Sequence, residues 1–307
     1  MIFPPKLPPG GTILLTAPSS PLSGDQPVAQ ISRRLESMGF QVDIGASCLT
    51  GPTPCGYAAA PAEVRAGDLN RGFTSPEVDA LWCVRGGSTA WQVLPLLDYA
   101  AIAAHPKPFI GFSDVTTLHL ALQRRCGLVT FHGPTANRVL GWEADDFSWS
   151  SLHAALELEE MLEVRNPPGA PIRALRPGRA QGILTGGNLS LVVHTLGTPD
   201  QIDAGGRVLY LEDVGEAVYA LERMLCQLLR AGVLESAAAL VFGSFDRCAN
   251  AYAPGYGPQA LLADLFAGWP RPVLTGVRSA HCSPMVTLPL GCLCDVDGDR
   301  GTITVRR

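Results

Sequence analysis

The chain has 307 residues, of which 47% are hydrophobic and 17% charged, with a formal net charge of −5. This length allows one large domain or two of ordinary size, and the composition excludes a disordered chain. Mild acidity without a basic run argues against nucleic acid as a partner, and no stretch approaches the roughly 18 apolar residues of a membrane span.

Near the start, only the short apolar run ILLTA precedes Pro18, so no signal peptide is predicted. Residues 12–17 (TILLTA) are expected to form a strand buried on both faces of a parallel sheet. Residues 27–40 have helical spacing closed by Gly39, and QVDIG at 41–45 is a second strand candidate. A helix over 61–73 opens at Pro61 and carries Val64, Leu69 and Phe73 near one face. DALWCV at 79–84 is a third strand, followed by Arg85, Gly86, Gly87 and a helix over 88–100. KPFIGFS at 107–113 supplies a fourth strand, with a helix from Asp114. This alternation predicts an α/β fold on a parallel sheet.

The regularity fades after TFHGPTA at 130–136. Residues 165–179 hold four prolines and no apolar period, and are read as a linker between units at 1–164 and 180–307. The second unit is mixed: strands at 207–212, 238–245, 272–277 and 301–306, and a helix over 217–232 closed by Gly232. Nine cysteines without a CxxC pair fit unpaired thiols in a reducing cytoplasm. Cys292 and Cys294 form a lone C-x-C without a second ligand pair, so neither metal nor cofactor is expected.

The segment with the most chemistry is GFSDVTT, 111–117. Ser113 or Asp114 could cap the following helix, accepting a backbone N–H from its first turn. Alternatively Ser113 sits on a nucleophile elbow, with Val115 where such turns usually have a second glycine. An activated serine needs a base and a group that orients it. Of six histidines, His105 and His153 lie in polar contexts and His119 and His194 inside amphipathic helices. His132 and His281 remain, and His281 follows a buried strand in a loop of small residues, as a base or as an ordinary loop histidine.

For the orienting acid, Glu216 is expected in the first turn of a helix, where the dipole explains it. Asp213 could be a turn residue. Glu212 ends an apolar strand in phase with Val208 and Tyr210, so its carboxylate is partly buried and needs a partner. The turn at Gly86 and Gly87 could offer N–H groups to an anion, but lacks dinucleotide-binding spacing. TGGN at 185–188 is a similar turn, or a helix start capped by Asn188.

Together these stretches resemble the LD-carboxypeptidase family of serine peptidases, which also includes the microcin-immunity hydrolases. The resemblance rests on TAPSSP, RGG at 85–87, KPFIGFSDVT, FHGPTA, GILTGGNLSLVVHTLGTP, YLEDVGE, ERMLCQL and the histidine of GVRSAHC, in the family's order. It implies a Rossmann-like or flavodoxin-like N-terminal domain carrying Ser113 as nucleophile. A smaller, strand-rich, mixed α/β C-terminal domain would carry Glu212 and the base His281. Backbone N–H groups of Asp114 and of Gly86 or Gly87 would form the oxyanion hole, with Arg85 and Ser88 in the substrate pocket. The implied reaction is release of terminal D-alanine from murein tetrapeptide in the cytoplasm, with a homodimer as the expected assembly. Alternatives are hydrolysis of a peptidyl-nucleotide or other acyl-peptide amide, and non-catalytic muropeptide binding. The chain departs from the family at Ser88 and Thr89, usually an aromatic and a glycine, and at Ala280, commonly glycine.

Overall fold

The computed structural model describes residues 1–22, 24 and 27–307, with the backbone alone for 142–144. Its first sheet is built from β1 (Thr12–Thr16), β2 (Gln41–Ile44), β3 (Ala80–Cys83), β4 (Phe109–Gly111) and β5 (Thr130–His132). These run parallel in the order β5-β4-β3-β1-β2. Every residue of β3, β4 and β5 is buried, as apolar runs without alternation require when both faces of a sheet are covered. The covering helices are α1 (Val28–Ser37), α2 (Ala62–Thr74), α3 (Tyr99–Ala104), α4 (Thr116–Cys126) and α5 (Asp146–Leu156). The strand order is that of the flavodoxin-like fold, whose switch point between β1 and β3 opens a crevice at the strands' carboxyl ends.

The expected single helix over 88–100 is two pieces. Ala90–Leu96 is a 3₁₀ helix containing Pro95, and α3 begins afresh where Asp98 accepts the Ala101 amide. Proline has no N–H to extend an α-helical ladder.

The second half contributes β6 (Met161–Glu163), β7 (Arg173–Arg176), β8 (Arg179–Asn188), β9 (Val208–Val214), β10 (Ala239–Asp246), β11 (Val273–Val277), β12 (Leu288–Leu290), β13 (Leu293–Asp297) and β14 (Thr302–Arg306). All but β12 form a mixed sheet, ordered β6-β14-β13-β8-β9-β10-β11-β7, parallel from β8 to β11. Helices α6 (Leu189–His194), α7 (Val218–Arg230), α8 (Val233–Ser236) and α9 (Pro258–Leu265) connect these strands. Val218, Leu221, Leu225 and Leu228 form the buried stripe of α7 at helical spacing. Two strand pairings cross the expected domain division: β6, from the first unit, pairs antiparallel with β14, and β12 pairs antiparallel with β5 of the first sheet, while β7 lies inside the proline-rich 165–179 stretch as an edge strand. Edge strands tolerate flanking proline because one side of the ladder is unpaired. Among the described residues no helix is long and apolar enough to cross a membrane.

Helix α4 locks the two halves together. Residues 116–123 are all buried, polar Thr116, His119 and Gln123 included. The Gln123 side chain donates to the Leu184 carbonyl and accepts the Thr185 hydroxyl, while Thr116 Oγ1 accepts the Asn188 amide. A Cβ on Gly187 would lie 2.5 Å from Thr116 Oγ1, so only glycine permits this approach. Asn188 in turn is the ladder partner of Glu212 in β9. The docking of α4 therefore carries the end of β9 to the segment preceding α4.

Candidate active site

Ser113 follows β4 after a single residue and has φ 66, a left-handed conformation rare for a residue with a side chain. The strain is held by crowding. A Cβ on Gly111 would lie 3.0 Å from Val115 Cγ1 and 3.1 Å from Cys83 Cβ, and one on Gly86 2.9 Å from Ser113 Cβ. The small residues this turn needs are thus Gly111 and Gly86, and Val115 can be buried apolar packing. The capping expectation is not met: neither Ser113 nor Asp114 makes a side-chain cap to this helix. Both side chains are engaged elsewhere.

Ser113 Oγ lies 3.0 Å from His281 Nε2, and His281 Nδ1 lies 3.0 Å from Glu212 Oε2. Glu212 is fully buried, and burial raises the pKa of its carboxyl, with the hydrogen bond to His281 opposing. The Phe112 ring packs 4.8 Å from the imidazole, and Tyr210 donates its hydroxyl to the Ser279 carbonyl two residues before His281. A Cβ on Gly243 would meet both Tyr210 Oη and Glu212 Cβ, so glycine there lets β10 pass close behind the acid. A serine hydroxyl, an imidazole and a carboxylate in this series can transfer a proton from serine and stabilise the resulting imidazolium.

The other candidates have different surroundings. His132 is fully buried between the rings of Phe112, His119 and Tyr210, where burial holds its pKa well below the usual histidine range. His119 is held by Thr130 Oγ1 and the Gly111 carbonyl. Asp213 belongs to β9 and accepts from Asn188 Nδ2 and from both Ser190 N and Oγ, which fixes the start of α6. Glu216 is outside α7, whose first residue is Val218 after the Ala217 N-cap, so the dipole explanation fails. Its backbone bridges instead to Cys248 and Ala249.

The turn after β3 is fastened to the elbow by Asp114. Its Oδ2 accepts from Ser19 Oγ and, at 2.7 Å, from Ala90 N, while Ser19 Oγ accepts Thr89 N at 3.1 Å. Buried Arg65 adds donations to the carbonyls of Pro18 and Thr89. Segments after β1, β3 and β4 thus form one network at the switch point. Gly87 has φ 147, and a Cβ there would lie 2.1 Å from Ser20 Oγ. No acceptor among the described residues engages the N–H of Gly86 or Gly87.

A cleft of about 330 Å³ opens over Ser113 and His281, with Arg85, Gly86 and Gly87 on one side. Phe112, Thr135, Asn137 and Arg138 complete its lining, and Asn137 N donates to the Val84 carbonyl just before the glycine turn. Ser88 is exposed and does not line it, a correction to its expected place in the pocket. Having passed the turn, its side chain points out while Thr89 is drawn inward by Ser19 and Arg65.

Residues 13–133 match the profile of the LD-carboxypeptidase N-terminal domain, and 181–296 that of the LD-carboxypeptidase C-terminal domain. The chain belongs to the LD-carboxypeptidase family. It is 35% identical over 289 residues to the Bacillus subtilis protein named "Probable murein peptide carboxypeptidase", covering 92% of this chain and 87% of that one. Identity to the murein tetrapeptide carboxypeptidase of Pseudomonas aeruginosa is 32% over 303 residues, with 94% of each chain covered. The crystal structure of muramoyltetrapeptide carboxypeptidase from Oxalobacter formigenes superposes with a TM-score of 0.82 at 29% identity, covering 96% of this chain and 98% of that one. The microcin C7 self-immunity protein MccF of Escherichia coli is 28% identical over 302 residues, covering 88% of this chain and 85% of that one.

Sequence reasoning did not single out several residues of this LD-carboxypeptidase-family site. Arg138 and Asn137 lie just beyond the FHGPTA stretch and gave no signal except proximity to a strand end. Ser19 lies within TAPSSP, but its tie to Asp114 spans 95 residues and has no local signature.

Proposed function

We propose that this chain is a serine LD-carboxypeptidase that releases the terminal D-alanine from murein tetrapeptide. The observation carrying this reading is the continuous hydrogen-bonded series from Ser113 through His281 to Glu212 at the floor of an open cleft. In this mechanism His281 takes the Ser113 proton as Oγ attacks the carbonyl of the scissile bond. Glu212 holds the imidazole in the tautomer with Nδ1 protonated and stabilises its charged form. The oxyanion is received by the N–H groups of Asp114 and of Gly86 or Gly87, each worth on the order of 3 kcal/mol in the transition state. His281 then gives its proton to the departing amine, and water hydrolyses the acyl-enzyme by the same steps in reverse.

A peptide-binding role without catalysis is disfavoured, because a binder has no use for a strained serine beside a histidine–carboxylate pair. The nine cysteines are all free thiols, which supports action on recycled wall fragments in a reducing compartment. The deciding experiment incubates purified protein with tetrapeptide and follows free D-alanine by mass spectrometry. Release abolished by Ser113→Ala is the expected result. No release, with cleavage of a peptidyl-nucleotide amide instead, would move the chain to the immunity-type chemistry.

A further inference from the structure

An exopeptidase must recognise the end of its substrate as well as the bond it cuts. On the carboxypeptidase reading, the departing residue carries its α-carboxylate two bonds from the nitrogen that His281 protonates. The protein therefore needs a cationic or hydrogen-bonding group beside the imidazole.

Arg138 stands in that place. Its guanidinium lies over the Phe112 ring, 5.1 Å from the centroid, and the same ring packs 4.8 Å from the His281 imidazole. Arg138 Nη1 donates to the carbonyl of Cys282, the residue after His281, at 2.7 Å. Among the described residues no other acceptor engages this side chain; Asp145, Asp246 and Glu212 act on its charge from beyond salt-bridge distance. Among the described residues no Asp or Glu lines the cleft that Arg138 faces. A half-buried guanidinium is partly stripped of water, and these carboxylates offset that without hydrogen-bonding it, so its free N–H groups can still take an anion in the cleft. Phe112 and the Cys282 carbonyl fix its plane, so the remaining N–H groups form a preset fork for a carboxylate. Arg85, the second cation of the cleft, differs: it is exposed, on the glycine-turn side, and donates to the Pro21 carbonyl.

We propose that Arg138 is the specificity-determining residue that receives the free α-carboxylate of the released residue, an inference that rests on the carboxypeptidase reading above. The site accordingly takes C-terminal acids and discriminates against the corresponding amides.

The test uses the full chain with tetrapeptide ending in D-alanine and the same peptide ending in D-alaninamide. Wild type should favour the acid by roughly 10- to 100-fold in kcat/KM, the value of a hydrogen bond to a charged group. Arg138→Gln should lower turnover of the acid far more than that of the amide, collapsing the ratio toward one. Arg138→Lys keeps a point charge but not the fork, and should give an intermediate ratio. It also serves as the comparison if Arg138→Gln does not fold. Equal losses on both substrates would make Arg138 merely structural and overturn the proposal, as would collapse of the ratio in Arg85→Gln instead. A wild type that releases D-alanine without preferring the acid overturns the role of Arg138 and leaves the carboxypeptidase reading intact. A wild type that releases no D-alanine overturns both.

Discussion

Gly86 and Ser113 are mutually exclusive in bulk: a Cβ on the glycine would lie 2.9 Å from the serine Cβ and 3.1 Å from its Oγ. Two loops from different strands thus meet with no spare volume at the candidate nucleophile. Gly86→Ala should displace Ser113 from His281 and lower kcat by on the order of 100-fold, since ångström-scale misplacement costs about that much. The melting temperature should also fall by a few degrees, because the added methyl overpacks a buried, filled contact. Unaltered turnover in this variant would show that the elbow has slack that this packing denies it.

Ser113→Ala and His281→Ala should each abolish turnover, with the double variant hardly worse, because members of such a series act as a unit. All three should still bind uncleaved tetrapeptide in a calorimeter. Losses that multiply as independent factors would argue against the proposed proton path.

Glu212→Gln should reduce turnover by on the order of 10³- to 10⁴-fold, as the imidazole loses its charged orienter. Glu216→Gln should leave turnover near wild type, since Glu216 lies outside the series. Stability should move the other way. Burial raises the Glu212 pKa, so its favourable contribution is complete below the ordinary glutamate value and is lost as pH rises through the raised one. Glu212→Gln should therefore unfold at a higher temperature than wild type at neutral pH, with the difference vanishing below about pH 4. A variant less stable at pH 7 than at pH 4, relative to wild type, would contradict this sign.

His119 and His132 should make the protein sensitive to mild acid. Burial lowers His119 to about 4 and His132 well below its usual value, so both are neutral in the folded state. Their contribution is present above the unfolded value near 6.5 and is lost as pH falls from there toward 4. Each proton taken up only on unfolding costs about 1.4 kcal/mol per pH unit. Urea titrations between pH 7 and 5 should show this slope, and His119→Gln should make it shallower by about one proton.

Asp114→Asn should keep the fold but loosen the glycine turn, because Oδ2 is the acceptor shared by the Ser19 hydroxyl and the Ala90 amide. An amide flipped to present its oxygen can keep both bonds, but only as weaker neutral acceptance. The expected result is a kcat reduced by about tenfold and faster hydrogen exchange at 85–90.

The sequence by itself determined the alternation of strands and helices in the first half, because buried parallel strands are written as short apolar runs bounded by turn residues. It also carried the stretches that resemble LD-carboxypeptidases, since glycines at Gly86, Gly87 and Gly111 and the serine and histidine loops are local in the chain. Only the tertiary structure brings the chosen acid, Glu212, to His281. Strand phase already favours Glu212 over Asp213 and Glu216, but the contact itself depends on α4 seating against β8 and on the loop that carries His281. The same holds for the cap that proved not to be one, because Asp114 meets Ser19 and Ala90 only when three strand ends converge. Arg138 belongs with these. Its partners, Phe112 and the carbonyl of Cys282, lie 26 and 144 residues away in the chain, and only folding brings a guanidinium to the side of that imidazole.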